Sequence, residues 1–243
     1  MVPYDAIDTV FLDIGNTLIS IDFDWVADEL DRRGLSVTAE ALRRAEAAAR
    51  PGYSRQLFVE GVEPGVDLFG RYLAAIFARL DGADAAGARR LATLADDLRP
   101  VLRPGGRASA LWRSVMPRVP EALDRLRALG LRLVVVSNSD GTAEHSLEIA
   151  GLRHHVDAVV DSALVGFEKP DPRIFHHALA LCGADAVRTL HVGDLYHADV
   201  LGAREAGVHA VLLDPYDDWP DVDCERFPDV WAVAEALAVS RAR

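Results

Sequence analysis

The sequence predicts an α/β protein with a Rossmann-like parallel sheet as its core and an α-helical domain inserted into it. Three observations lead to this fold class. Short, continuous apolar runs recur along the chain, and such runs are typical of strands buried on both faces of a parallel sheet. A helical pattern follows most of these runs, which favours an open sheet with helices on both sides. One long stretch contains helical patterns alone.

Five apolar runs are the predicted strands, and they cover residues 9–12, 131–136, 156–160, 189–192 and 209–213. The helices predicted between the later runs cover residues 118–129, 142–150, 172–182 and 198–206. Gly130, Gly151 and Gly207 each follow a predicted helix directly. Glycine is common at this position, because it ends helices in a left-handed conformation at little cost.

Residues 20 to about 105 interrupt the alternation. Their helices are predicted over residues 24–33, 38–50, about 65–80 and 84–98, with Thr38 and Asp84 as N-caps. Breaks are predicted where proline and glycine occur together, at residues 51–52 and 63–65, and residues 103–106 resemble a hinge. We therefore predict a core domain formed by residues 1–18 and 106–243, and a helical domain formed by residues 19–105.

The composition narrows the classes of function. The 243 residues carry a net charge of -12, which disfavours binding to nucleic acid and to anionic membranes. From the acidic first residues we expect no signal peptide, and we expect no membrane-spanning helix, because no apolar run reaches about 18 residues. The two cysteines, Cys182 and Cys224, stand far apart, which excludes a disulfide framework and a cysteine zinc cluster. We expect a cytoplasmic protein, either a monomer or a homodimer.

Polar residues follow the predicted strands, where an open parallel sheet binds its ligands. Asp13 follows the first strand, Ser137 and Asn138 the second, and Asp194 the fourth. Lys169, the only lysine of the chain, lies in a loop between them. Each residue alone has a plainer explanation, as a turn residue, a helix cap or a solvated lysine. Together they favour a site for Mg²⁺ and a phosphoryl group on a nucleophilic carboxylate.

The order of these residues resembles the haloacid dehalogenase (HAD) superfamily, and in particular its subfamily I members with a helical C1-type cap inserted after motif I. The four motifs are FLDIGNTL, VVVSNSDG, GFEKPDPRIF and HVGDLYHADVLGAREAG. The resemblance covers nearly the whole chain. It implies the HAD fold, with the helical domain as the cap, and a Mg²⁺-dependent phosphatase acting on a small phosphorylated metabolite.

The resemblance also implies the roles of the phosphate-binding residues. Asp13 would attack phosphorus and form an aspartyl-phosphate. Ser137 would bind the phosphoryl oxygens, helped by the backbone of Asn138. Lys169 would neutralise the nucleophile and the phosphate, and an ammonium group on a thin stem fits between two anions better than a planar guanidinium does.

The implied protein ligands of Mg²⁺ are the carboxylates of Asp13 and Asp194 and the backbone carbonyl of Gly15. Water and phosphate would complete the octahedron. Asp199 would orient the water molecules of the metal or the ammonium of Lys169.

Gly15 departs from the pattern of the family's phosphatases, which usually carry there an aspartate that protonates the leaving group. General acid–base catalysis of this kind typically contributes about 10²–10⁴ in rate. One explanation is a surrogate acid, with His197 the first candidate, then Tyr196 or a cap residue such as Asp22 or Asp24. A second explanation is a leaving group acidic enough to depart without a proton.

A third explanation is a catalytically weak or inactive phosphate-binding protein, or a slow phosphotransferase. A dehalogenase is the fourth and least favoured, because dehalogenases of this superfamily dispense with magnesium and lack the Gly-Asp of motif IV, which this chain keeps as Gly193-Asp194. Asn16 occupies a position where the family often has glycine, and asparagine tolerates the left-handed backbone expected there. His191 lies inside a predicted strand and is interpreted as a core residue whose ring nitrogens have hydrogen-bond partners. Around the predicted break at residues 51–52, two interpretations stay open for Arg50, Tyr53 and Arg55: they bind a substrate anion, or they belong to an exposed loop.

Overall fold

The computed structural model describes residues 2–61, 67–80, 85–106 and 110–242. The described chain divides into two compact units, one formed by Met1–Ile21 and Trp112–Arg243 and the other by Asp22–Leu111. We call them the sheet unit and the helical unit. The boundaries expected from the sequence, before residues 19 and 106, lie a few residues from these bounds.

The strands are β1 (Thr9–Leu12), β2 (Ile19–Ile21), β3 (Trp112–Val115), β4 (Arg132–Ser137), β5 (Ala158–Asp161), β6 (Thr189–Gly193), β7 (His209–Leu213) and β8 (Arg226–Phe227). The α-helices are α1 (Phe23–Asp31), α2 (Ala39–Arg55), α3 (Leu68–Phe77), α4 (Ala85–Leu102), α5 (Val119–Ala128), α6 (Ala143–Ile149), α7 (Ser162–Val165), α8 (Pro172–Cys182), α9 (Gly202–Glu205) and α10 (Val230–Arg241). Wider π-helical turns cover Gln56–Glu60 and Tyr196–Leu201.

The main sheet has the strand order β5–β4–β1–β6–β7–β8 within the described residues, and every neighbouring pair is parallel. This confirms the predicted α/β fold class. The five predicted strands correspond to β1, β4, β5, β6 and β7. The small antiparallel sheet of β2 and β3 was not predicted. Neither were β8 and α10.

The core of the sheet unit lies on both faces of the main sheet. Successive residues of a strand point to opposite faces, so Val10 and Leu12 pack with α5 and α10, whereas Phe11 packs with α8 and α9. All four residues of β1 are buried. Burial on both faces explains why the strand appears in the sequence as a continuous apolar run rather than an alternating one.

The helical unit corrects one prediction. Helix α2 continues through Pro51 and Gly52 to Arg55, and a π-helical turn follows it, so the predicted break at residues 51–52 is wrong. Proline removes one backbone hydrogen bond from a helix interior, but it bends a helix as readily as it ends one. The buried face of α2 extends to Ser54, and its packing outweighs the lost bond.

The local signals for helix ends are confirmed where the structure describes them. The side chain of Thr38 accepts a hydrogen bond from the backbone N–H of Ala41 (3.1 Å), as an N-cap residue does. Gly130, Gly151 and Gly207 have left-handed backbone angles. The predicted cap at Asp84 and the predicted break at residues 63–65 lie outside the described residues. Among the helices of the described chain, none combines the length and the apolar character that crossing a membrane requires.

Candidate active site

The loop after β1 holds the Asp13 side chain at the carboxyl end of the sheet. The backbone N–H of Asp13 donates to the carbonyl of Val192 in the neighbouring strand β6 (3.0 Å), and the side chain is almost buried. The next turn closes when the N–H groups of Leu18 and Ile19 donate to the carbonyl of Ile14. Asn16 adopts φ 51° in this turn, so the expected tolerance of asparagine for the left-handed conformation is confirmed.

Lys169 joins two carboxylates in the interior. Its Nζ lies 2.5 Å from Oδ1 of Asp13 and 2.7 Å from Oδ1 of Asp199, and its side chain is 3% exposed. Burial disfavours the charged ammonium, but the two carboxylates outweigh burial and raise the pKa of Lys169 above its usual value. Lys169 is therefore charged at neutral pH, and it supplies the positive charge that two buried anions need.

The two carboxylates differ in their electrostatic environment. Burial raises the pKa of Asp13 above its usual value, although the ammonium of Lys169 opposes this. Burial also acts on Asp199, but there Lys169 and the hydrogen bond from His191 prevail and lower the pKa. Asp199 is consequently the firmly ionised partner of Lys169.

His191 is a site residue that the sequence placed only in the core. Its Nε2 lies 2.9 Å from the same Oδ1 of Asp199 that accepts from Lys169, while the N–H of Leu195 donates to Oδ2 (2.9 Å). Its ring packs edge-on against Phe175. Its Nδ1 is buried and has no hydrogen-bond partner, so the predicted satisfied core residue is wrong for one of the two nitrogens. Burial lowers the pKa of His191, and a neutral ring donates from Nε2.

Gly193 is required by the position of Asp199. A Cβ atom at residue 193 would lie 2.2 Å from Cγ of Asp199, closer than any packed pair of carbon atoms. The glycine of the Gly-Asp pair therefore lets the Asp199 side chain lie against β6, where it reaches Lys169.

The loop after β4 is tied to Lys169 through Asn138. The side-chain amide of Asn138 donates to the carbonyl of Lys169 (2.9 Å), and its Oδ1 accepts from the N–H of Lys169 (2.7 Å). This paired hydrogen bond fixes the backbone that carries the ammonium. Ser137, which precedes Asn138 in the chain and is the last residue of β4, is buried.

Asp161 and Ser162, which were not among the predicted site residues, hold the same loop. The carboxylate of Asp161 accepts from the N–H groups of Gly141 (3.2 Å) and Ala143 (3.0 Å), and the hydroxyl of Ser162 accepts from the N–H of Ser139 (3.0 Å). The only signal in the sequence was a polar pair directly after the apolar run of β5, and such pairs are common in turns.

Asp194 follows β6, the strand next to β1 in the sheet. The side chain is almost buried, and its Oδ2 accepts from Nδ2 of Asn16 (3.1 Å). No group of three or more His, Cys, Asp or Glu side chains within the described ranges could hold a metal ion. The oxygen donors near the strand ends are the carboxylates of Asp13 and Asp194 and backbone carbonyls. Such donors suit Mg²⁺, because this ion keeps several water ligands and needs few ligands from the protein.

The space beside Gly15 is filled by Trp112. A Cβ atom at residue 15 would lie 3.1 Å from Cζ3 and 3.4 Å from Cη2 of Trp112, and 3.7 Å from Oδ2 of Asp13. Gly15 is not among the glycines with positive φ, so its backbone would accept a side chain. The indole, and not the backbone, therefore disfavours a larger residue here.

The candidate surrogate acids have other partners. The ring of His197 lies against Tyr196 and Trp219, with centroids 5.4 and 6.5 Å away. The hydroxyl of Tyr196 donates to Asp223 (2.7 Å). In the helical unit, Asp22 caps α1 by accepting from the N–H of Trp25 (3.0 Å).

Arg50 is neither a loop residue nor exposed. It lies on α2, 5% exposed, and its guanidinium donates two hydrogen bonds to Glu46 (2.8 and 2.6 Å). Tyr72 of α3 donates to the same carboxylate (2.5 Å). The arginine therefore belongs to a buried ion pair within the helical unit. The prediction of an exposed loop around residue 51 is wrong, because the helix continues there.

Known proteins resemble the chain over most of its length. The family model described as haloacid dehalogenase-like hydrolase matches residues 7–207. The haloacid dehalogenase-like hydrolase domain-containing protein 3 of Bos taurus is 34% identical over 180 residues, which are 74% of this chain and 70% of that protein. The phosphoserine phosphatase of Thermus thermophilus is 42% identical over 102 residues, 40% of this chain and 41% of the relative.

The fold has counterparts among solved structures. The HAD hydrolase YfnB of Bacillus subtilis, solved with bound magnesium, has a TM-score of 0.65 at 18% identity, with 95% of this chain and 98% of that chain covered. At this identity the likeness concerns the fold alone. The family model and the bovine relative decide the membership: the chain belongs to the haloacid dehalogenase-like hydrolase family.

Proposed function

We propose that this hydrolase is a Mg²⁺-dependent phosphatase that acts on a small phosphorylated metabolite through an aspartyl-phosphate on Asp13. The observation that carries the proposal is the buried ammonium of Lys169 between Asp13 and Asp199. Such a charge neutralises an attacking carboxylate and a phosphoryl group at once. The partial likeness to a phosphoserine phosphatase supports a phosphorylated substrate.

The side chain of Asp13 has one oxygen for attack. Its Oδ1 accepts from Lys169, which leaves Oδ2 to bond to phosphorus while the bond from phosphorus to the leaving oxygen breaks. The hydroxyl of Ser137 and the backbone N–H of Asn138 bind the phosphoryl oxygens. Water then attacks phosphorus, the bond between phosphorus and Oδ2 of Asp13 breaks, and inorganic phosphate leaves while the carboxylate of Asp13 is regenerated.

The positions of Asp13, Asp194 and the carbonyl of Gly15 would hold Mg²⁺. When bound, the metal supplies positive charge that offsets the phosphate and the carboxylates. The amide of Asn16, which donates to Oδ2 of Asp194 (3.1 Å), orients that carboxylate. Asp199 keeps the ammonium of Lys169 in place through the shared Oδ1.

Gly15 brings no acid to the site, so the leaving group must depart without help from residue 15. Esters of acidic alcohols and acyl phosphates meet this condition, since their leaving groups are stable as anions. We propose in addition that the helical unit is the cap that the sequence resemblance implies.

A panel of phosphate esters tests the function. The purified protein is assayed for phosphate release with Mg²⁺ and with EDTA, beside Asp13→Asn and, as a matched control, Asp5→Asn at an exposed position. We expect Mg²⁺-dependent release by the wild type and by Asp5→Asn, and loss of release in Asp13→Asn. Equal activity of Asp13→Asn and the wild type would refute the proposed nucleophile.

A further inference from the structure

The ring of Trp112 lies tightly against the position that a side chain at residue 15 would enter, near the carboxylate of Asp13. The Cβ position of Gly15 lies 3.1 Å from Cζ3 of the indole and 3.7 Å from Oδ2 of Asp13. The six-membered ring and Oδ2 of Asp13 therefore both lie within 4 Å of this one position. Because Oδ1 of Asp13 is bound to Lys169, Oδ2 is the oxygen left for attack, and the ring lies near the same Cβ position as this oxygen.

The fold holds this ring in place. Trp112 is the first residue of β3 and pairs with Ile21 of β2. It also packs, partly buried, against the core cluster that contains Ile14 and Leu18 of the motif I loop. A large aromatic side chain fixed on two sides loses little further conformational freedom when a ligand contacts it.

The ring edge offers a different chemistry from a polar residue. Cζ3 and Cη2 carry only C–H groups, so this edge neither donates a proton nor binds a hydroxyl. A flat, apolar group can stack on or pack against the indole, and such contacts are favourable. A polyol placed there would lose hydrogen bonds to water without replacement, which costs free energy.

We propose that Trp112 determines substrate selectivity, and that the site prefers phosphate esters with flat, apolar and acidic leaving groups, aryl phosphates above all, over phosphate esters of polyols. The inference rests on the proposed phosphatase function. Two properties of this part of the site support the inference. Gly15 has no side chain that could donate a proton to the leaving group, and the neighbouring indole of Trp112 presents an apolar surface.

The test separates apolar contact from leaving-group acidity. Phenyl phosphate and 2-naphthyl phosphate have leaving groups of similar acidity but different apolar area, and glycerol phosphate is the polyol comparison. We measure kcat/KM for all three with the wild type, Trp112→Ala and Trp112→Phe. Trp231→Phe is the matched control. Trp231 lies on α10, and Cζ of Arg118 lies 3.8 Å from the centroid of its ring.

We expect Trp112→Ala to lower the ratio of naphthyl to phenyl turnover, and the ratio of phenyl to glycerol phosphate turnover, by about tenfold each. Trp112→Phe should fall between Trp112→Ala and the wild type, and Trp231→Phe should keep both ratios. Competitive inhibition by phenylphosphonate should weaken in Trp112→Ala more than inhibition by methylphosphonate.

Unchanged ratios in an active, folded Trp112→Ala would overturn the proposal and leave the indole as a space-filling residue. If circular dichroism shows that Trp112→Ala is unfolded, the ratios of Trp112→Phe decide in the same way. A wild type that releases phosphate from none of the esters would refute the phosphatase function itself, and the selectivity would fall with it.

Discussion

Replacing Lys169 is the most direct perturbation of the site. Lys169→Met removes the ammonium and leaves Asp13 and Asp199 buried without their shared cation. Removing one partner of a buried ion pair typically destabilises a protein by about 3–5 kcal/mol. We expect a loss in this range, near its lower end, because burial already raises the pKa of Asp13 and protonation of that carboxyl relieves part of the cost.

Lys169→Arg keeps the charge but changes its shape. The ammonium fits between two oxygens 2.5 and 2.7 Å away, and its side chain is 3% exposed. A planar guanidinium needs more room there, and overpacking a closed site costs about 1–3 kcal/mol. We also expect a loss of about 10² in kcat, since displacement of a catalytic group by 1 Å can cost that much.

Urea unfolding followed by circular dichroism, together with phosphate release, measures both effects. Arg125→Met is the control: Arg125 pairs with Glu235 at the surface, with both side chains more than two-fifths exposed, and such pairs contribute at most about 1 kcal/mol. Full activity and unchanged stability of Lys169→Arg would show that the single lysine reflects codon usage and not the geometry of the site.

Three further predictions concern other residues. Asp194→Ala should abolish the rise in thermal midpoint that Mg²⁺ gives the wild type; an equal Mg²⁺ affinity of both proteins in calorimetry would mean that the metal site lies elsewhere. Gly15→Asp combined with Trp112→Ala should flatten the dependence of log kcat/KM on leaving-group pKa. Gly15→Asp alone should lose stability, because its Cβ would lie 3.1 Å from the indole. Equal slopes in the wild type and the double variant would point to another acid. Burial and the neighbouring His154 lower the pKa of His155 below 6.5, so the unfolded state takes up a proton first and stability falls as the pH drops through 6.5. Urea midpoints of His155→Gln should fall less on acidification, and parallel curves would contradict this.

The sequence predicted the strands well because of where they lie. The strands of the main sheet that were found are buried on both faces, and double burial produces continuous apolar runs. The pair β2 and β3 left no such signal, since β2 has three residues and β3 alternates between half-buried and exposed positions. At Pro51 the sequence instead predicted a feature that is absent. The local signal for a helix break was strong, but the packing of α2 outweighs it.

The side chains of the site were predicted more completely than their contacts. Asp13, Lys169, Asp194 and Asp199 stood at strand ends or in motifs, and the structure brings Lys169 together with Asp13 and Asp199. The contact of Trp112 with Gly15 joins residues almost a hundred positions apart. No local pattern encodes a contact of that kind, because it depends on the pairing of β3 with β2.

That pairing also bears on the order in which the chain folds. To pair Ile21 with Trp112, the sheet unit must bring together the two ends of an insertion of about ninety residues, and closing a flexible loop of that length costs about 4 kcal/mol of chain entropy. The helical unit joins its own ends when it folds, because the N–H of Asp22 donates to the carbonyl of Leu111 (2.9 Å). If the insertion folds first, the ends of β2 and β3 are already close together. Pairing β2 with β3 then costs little more chain entropy than closing a short turn. Replacing residues 22–111 with a tight turn should consequently leave the parallel sheet able to form, and should speed its folding relative to a chain whose insertion is kept unfolded.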